Sequence, residues 1–370
     1  MISHLSRRDV IGAGLAFASG NVAFASANVF GAGNAAAAGV PDLAPLVGVN
    51  LASAEFGQVP GVYATDYIYP TLDEVAYFAA LGFNCVRLPF RWERLQPDLY
   101  GGFDAEEQKR LADLVEGIAQ RGLVTILDPH NFARRKLRED GWSSDHLIGS
   151  QAVPTDAFGD FWRRLAAMFK DNDLAVFGLM NEPIDISAED WLAVANHTIA
   201  VIRKTGAANW ILVPGTAYTG AHSWLSSGNT VMAGVADPLD RFAIEVHQYF
   251  DWNSSGTSPT AVSATIGSDR IKAFQDWARK NGLRAFLGEF GGADNPTALS
   301  ALADICREMK DNADVWMGWT AWAAGPFWPD DYMFNLEPLP SSGLRKQTEV
   351  LAACARAWRS AARAGAGQKP

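Results

Sequence analysis

From Val47 onward, short apolar runs rich in β-branched residues alternate with longer segments of helical period, the signature of repeated strand and helix units around a parallel sheet. Eight runs read as strands, over 47–52, 85–90, 124–130, 175–181, 210–215, 242–249, 284–290 and 315–322. The intervening periodicity predicts helices over 72–81, 105–121, 157–170, 188–204, 261–281, 296–311 and 344–364, with a weaker one after Thr219. Eight strands each followed by a helix predict an α/β fold of one domain, a closed (β/α)8 barrel of the TIM type. An open doubly wound sheet stacks the same units differently, but no G-x-G-x-x-G opens a helix and no P-loop is present.

The chain ahead of this pattern has a different character. Arg7 and Arg8 stand in tandem before a weakly apolar Gly/Ala-rich run and small residues at signal-peptidase spacing, similar to a bacterial twin-arginine leader. Residues 1–38 are therefore expected to be an export signal, cleaved after Ala27 or Ala38, with the barrel over 39–364 and a flexible tail over 365–370. The expected location is periplasmic or extracellular. The leader's apolar run is broken by Gly20 and Asn21, so no membrane span is expected.

Composition narrows the function. With 48% hydrophobic and 19% charged residues the 370-residue chain is an ordinary globular one, and 31 Lys and Arg against 41 Asp and Glu leave it at −10. No basic tract stands out to meet a phosphate backbone, so nucleic acid is not an expected partner. The three cysteines, none in a C-x-x-C pair, exclude a disulfide framework and a cysteine zinc site; Cys306 and Cys354, on the last two large helices, leave room for one bridge. Thirteen tryptophans are generous for an acidic chain, and exposed indoles suit flat, apolar-faced partners such as sugar rings.

In a βα barrel the chemistry collects at the C-terminal ends of the strands. There the sequence places Arg87 in CVRLPF, His130 in LDPHN, Asn181 and Glu182 in GLMNEP, His247 and Tyr249 in EVHQY, Glu289 in FLGEFGG and Trp322 in WTAWAAGPFW. A polar group ending a buried apolar strand is costly to desolvate unless it has partners or a task, and six such strands converge on one mouth. Glu182 and Glu289, three strands apart, face each other across it. Facing carboxyls suggest a glycosidase: about 5 to 5.5 Å apart in retaining enzymes, wider in inverting ones. The two histidines also suit a metal, but no H-E-x-x-H or comparable set accompanies them, and neither metal nor cofactor is expected. Trp92, Trp224, Trp252, Trp319 and Trp328 read equally as sugar platforms or as core.

This ordered set, one group per strand end from about Val47 to about Pro338, resembles the glycoside hydrolase family 5 cellulases. GVNLASAEFG, LDPHNFAR, TAYTGAHSW, HQYFDWNSSGT and WAAGPFW are similar to the branch holding fungal and bacterial endo-1,4-β-glucanases. The resemblance implies a retaining endo-1,4-β-glucanase with Glu182 as acid/base and Glu289 as nucleophile, the latter held ionised by Arg87 and Tyr249. It further implies that Asn181 holds a sugar 2-hydroxyl, that His130 and His247 bind hydroxyls and orient the glutamates, and that Trp322 is the platform under the sugar. The expected partner is a β-glucan polysaccharide or oligosaccharide, bound by a monomer. RRKLREDGWSSDHL after His130 is longer and more basic than the corresponding family loop, which leaves an endo-β-mannanase or another β-glucan or exopolysaccharide hydrolase as the alternative. With no Ser/Pro linker or binding module after the barrel, soluble glucan is expected over crystalline cellulose.

Overall fold

A computed structural model describes residues 45–341 and 343–366; the expected leader over 1–38 lies outside them. Among the described residues there are ten strands: β1 (Leu46–Leu51), β2 (Cys85–Phe90), β3 (Val124–Pro129), β4 (Arg134–Lys136), β5 (Asp145–Leu147), β6 (Ala175–Gly178), β7 (Ile211–Pro214), β8 (Phe242–His247), β9 (Ala285–Glu289) and β10 (Trp316–Ala324). Eight of them close a parallel barrel in the order β1-β10-β9-β8-β7-β6-β3-β2, as the apolar pattern predicts. The helices are α1 (Leu72–Ala80), α2 (Trp92–Leu95), α3 (Ala105–Ala119), α4 (Thr155–Phe169), α5 (Ala188–Lys204), α6 (Ile266–Lys280), α7 (Pro296–Asp311) and α8 (Lys346–Ala366). Their starts are written in the sequence: Thr71 and Glu74 form a reciprocal capping box on α1, Ser187 caps α5, and Asn295 caps α7 with Pro296 at its first turn.

Two features depart from the sequence reading. The helix expected after Thr219 is absent, and 217–234 holds short 3-10 turns instead. Ala217, Tyr218 and Thr219 all have positive φ, which no α-helix accommodates. The basic segment after His130 is not a plain loop but folds as the antiparallel hairpin β4-β5, with Arg134 paired to Asp185 at 2.7 Å.

Strand periodicity builds the site. Leu46, Cys85, Val124, Ile126, Val176, Leu212, Ala243, Phe286 and Met317, from all eight barrel strands, form an apolar plug separate from the large core beneath the helices. Two residues further along, the same inward face presents Asn50 after Gly48, Arg87 after Cys85, Asp128 after Ile126, and Glu245 then His247 after Ala243. A polar layer thus sits directly on the apolar one.

Strict alternation would turn Glu289 away from this layer, because Phe286 already points inward. The register between β8 and β9 slips between Val246 and His247, so that Val246 pairs with Leu287 but His247 pairs with Glu289. This bulge at Gly288 re-aims Glu289 into the mouth. Only glycine fits there, since a Cβ would lie 2.1 Å from Glu245 Oε1 and 2.9 Å from His247 Nε2. Gly288→Ala is expected to displace Glu289 and lower kcat by on the order of 100-fold; wild-type kcat in a folded variant, measured beside circular dichroism, would refute the role given to the bulge.

Candidate active site

Arg87 is the centre of the polar layer and is fully buried. Its Nη1 donates to Glu289 Oε1 and to Asn50 Oδ1, each at 2.9 Å, and its Nη2 donates to Asn181 Oδ1 at 2.9 Å. Asp128 and Glu245 complete its shell with ion pairs at 3.1 and 3.0 Å. Burial works against the guanidinium's charge, but the surrounding Asp128, Glu245 and Glu289 outweigh it and leave Arg87 more firmly protonated than in water. A buried ion of this kind fixes geometry: the same planar fork holds Glu289 and Asn181 in one frame.

The two glutamates have different surroundings. Tyr249 donates its hydroxyl to Glu289 Oε2 at 2.8 Å, and His247 Nδ1 lies 3.6 Å from that oxygen. Burial alone would raise the Glu289 pKa, yet the charges of His247 and Arg87 prevail and hold it below the ordinary 4.5. Glu182 accepts one hydrogen bond, from His247 Nδ1 at 2.6 Å, and burial raises its pKa above 4.5, with the negative charge of Glu289 adding to the rise. Burial disfavours the His247 cation, but Glu289 and Glu182 reverse this and lift its pKa to about 10. An oxygen of Glu182, an oxygen of Glu289 and a ring nitrogen of His247 all lie within 4.8 Å of one another. Glu182 is also the more open of the two, its side chain 17% exposed against 5% for Glu289. Its backbone φ is +40°, a conformation that an L-residue adopts at a cost and that recurs at functional sites.

The remaining predicted residues also converge, with one change of role. His130 Nε2 faces the Asn181 amide nitrogen at 3.2 Å, and its Nδ1 donates to Asp128 at 2.8 Å. The Asn181 oxygen is taken by Arg87, so its N–H must donate to His130; that assigns the Nδ1–H tautomer, an inference from the network. His130 therefore orients Asn181, while His247 is the histidine that reaches the glutamates. Trp322 stacks on His130, with ring centroids 5.7 Å apart, and donates its indole N–H to Tyr332 at 3.1 Å. Trp328, stacked on Tyr332 at 3.9 Å, stands edge-on to Trp322 and to Phe56.

Asn50, Asp128 and Glu245 belong to the site and were not among the predicted residues. A signal for them exists, since each is a polar residue on the inward parity of an otherwise apolar strand. The structure also sorts the ambiguous tryptophans: Trp92, Trp224 and Trp319 are fully buried core, and Trp252 is exposed.

A barrel whose mouth carries two closely spaced carboxyls, one with its proton affinity lowered and the other with it raised, beside an aromatic platform, defines a glycosidase. Comparison with known proteins agrees. Residues 48–325 match the family model for cellulase (glycosyl hydrolase family 5). The chain is 38% identical over 309 residues to endo-beta-1,4-glucanase A of Emericella nidulans, covering 82% of this chain and 90% of that one. Among solved structures it resembles an endo-beta-1,4-glucanase from Xanthomonas axonopodis pv. citri, with 45% identity, a TM-score of 0.81, and coverage of 85% and 99%. It also resembles XacCel5A in complex with cellopentaose, with 43% identity, a TM-score of 0.80, and coverage of 84% and 99%. The chain belongs to glycosyl hydrolase family 5, the cellulases, and is a glycoside hydrolase.

Proposed function

We propose that the protein is an endo-1,4-β-glucanase that cleaves internal β-1,4 bonds of cellulose-type glucans by double displacement. The observation that carries this reading is the pair of carboxyls within 4.8 Å whose surroundings push their proton affinities apart. Glu289 attacks the anomeric carbon while Glu182 gives its proton to the departing glycosidic oxygen. Forming the ester neutralises Glu289 and removes one cause of the raised Glu182 pKa, so Glu182 then takes a proton from water as that water attacks the same carbon and frees Glu289. Asn181, held by Arg87 and His130, has one amide hydrogen left for the 2-hydroxyl, and Trp322 supports the ring.

The signs of the two shifts set the pH profile. Activity needs Glu289 ionised and Glu182 protonated. kcat/KM should therefore rise through a pKa below 4.5 and fall through one above 4.5, giving a bell. Glu182→Gln should lose roughly 100- to 10,000-fold on barley β-glucan or carboxymethylcellulose and lose the descending limb. Its first step on β-cellobiosyl fluoride, whose leaving group needs no proton, should survive. An equal loss on both substrates, or a descending limb that persists, would contradict the assignment. Wild type should thin carboxymethylcellulose faster than it releases reducing ends, and activity confined to mannan or laminarin would move the substrate class.

The protein is proposed to act outside the cytoplasm, a reading supported by the tandem Arg7-Arg8 and the small-residue sites ending at Ala27 and Ala38, and to bind its β-glucan as a monomer. Among the described residues no helix is long and apolar enough to cross a membrane.

A further inference from the structure

The aromatic wall of Trp322, Trp328 and Tyr332 lies on one side of the mouth. On another side an indole stands in the open: Trp252, in the segment after β8, is 79% exposed. Its side chain is free but its backbone is clamped. The Asp251 carboxylate accepts from the amides of Gly256 and Thr257, both at 3.1 Å, and from the Ser255 hydroxyl at 3.0 Å. The Arg270 guanidinium donates to the carbonyls of Tyr249 at 2.9 Å, Asp251 at 2.7 Å and Trp252 at 3.2 Å. A large apolar surface offered to solvent from a fixed backbone spares the cost of ordering the chain when a flat partner stacks on it, leaving only the two side-chain torsions to be fixed.

The position of this segment relative to the chemistry follows from its contacts. Gly256, at φ +71°, lies against the Tyr249 ring so closely that a Cβ would come within 2.8 Å of Cδ1, and that ring's hydroxyl holds Glu289. Gln248 donates to Ser254 Oγ at 3.1 Å and accepts from the His222 amide at 2.9 Å, tying the segment to 217–224. In 217–224 the Tyr218 amide donates to the carbonyl of Pro183, the residue after Glu182, at 3.1 Å. Trp252 thus stands on the rim sector of β6 to β8, which supplies the proton donor. In the barrel order, β10 with Trp322 and β6 before Glu182 are four strands apart, on opposite sides of the mouth. A sugar seated on Trp322 sends its leaving group toward Glu182, into the sector that Trp252 borders.

We propose that Trp252 is the stacking platform for a glucosyl unit on the leaving-group side of the scissile bond, and so sets the preference for long chains. This rests on the endoglucanase reading above. The test compares Trp252→Ala with wild type on cellohexaose and on β-cellobiosyl fluoride, whose leaving group places no sugar on that side. KM for cellohexaose should rise roughly 5- to 10-fold, as expected for one lost ring-on-ring contact. kcat/KM for the fluoride should stay within about twofold of wild type on the same basis, and Trp252→Phe should recover most of the cellohexaose KM. Unchanged cellohexaose kinetics, or an equal loss on both substrates, would overturn the proposal with the endoglucanase reading intact. A wild type inactive on both would overturn that reading and the platform with it.

Discussion

Glu289→Gln is expected to lower turnover by at least about 10,000-fold while leaving cellohexaose binding and the melting temperature close to wild type. The amide is isosteric and keeps its acceptor oxygen for Arg87 Nη1, its NH2 can donate to the Tyr249 hydroxyl, which turns from donor to acceptor, and the nucleophilic charge is lost. Residual binding by calorimetry separates this outcome from a structural role, in which binding and folding would fail together. Glu289→Ala should regain turnover of β-cellobiosyl fluoride with added azide, because the small anion takes the vacated place and gives the α-glycosyl azide. A β-azide would mean that the displaced group was the base and not the nucleophile.

Arg87→Met is expected to be the most destabilising single change in the barrel. The thioether matches part of the side chain's volume, but Asp128, Glu245 and Glu289 lose the cation that three of them share in a fully buried layer. Breaking a buried ion pair from one side costs about 3 to 5 kcal/mol, because the partner charge is left without compensation. For a chain of this size that corresponds to a fall in melting temperature on the order of 10 °C. Activity should fall as well, since the guanidinium is, after His247, the next cation that keeps Glu289 below its ordinary pKa, and the ascending limb of the pH profile should move to higher pH. Arg87→Lys should not restore activity: one ammonium cannot donate in a plane to Glu289, Asn50 and Asn181 together. A variant that melts as wild type does would show that the layer is not organised around Arg87.

The eight barrel strands and most of the helices were legible because burial leaves its mark on them: each barrel strand is a short, mostly apolar run, and each long helix carries one apolar stripe. The convergence of Glu182 and Glu289 was legible for a related reason, since polar ends on apolar strands meet at one mouth. How Glu289 comes to point inward was not. By alternation from Phe286 it points outward, and only the slip at Gly288 reverses it. A bulge depends on pairing with β8, which one strand's sequence does not record. The shell around Arg87 was likewise not legible, because Asn50, Asp128 and Glu245 lie within strands, where a lone polar residue does not stand out as a strand end does. The segment after Thr219 read as helix because its residue types permit one, whereas its backbone follows the docking of Tyr218 on Pro183. Tryptophans could not be sorted at all: Trp224 and Trp252 carry the same side chain, and only packing makes one core and the other rim.

The central claim is that Glu289 forms a covalent bond to the sugar and Glu182 manages the proton. It is tested most directly by treating wild type with a 2-deoxy-2-fluoro-β-cellobioside bearing a good leaving group, which forms the ester readily and releases it slowly, and weighing the protein and its peptides. The expected result is one added fluorocellobiosyl unit on the peptide containing Glu289, with activity lost in step and regained as the adduct turns over. An adduct on Glu182, or none from a protein that hydrolyses β-glucan to α product, would contradict it.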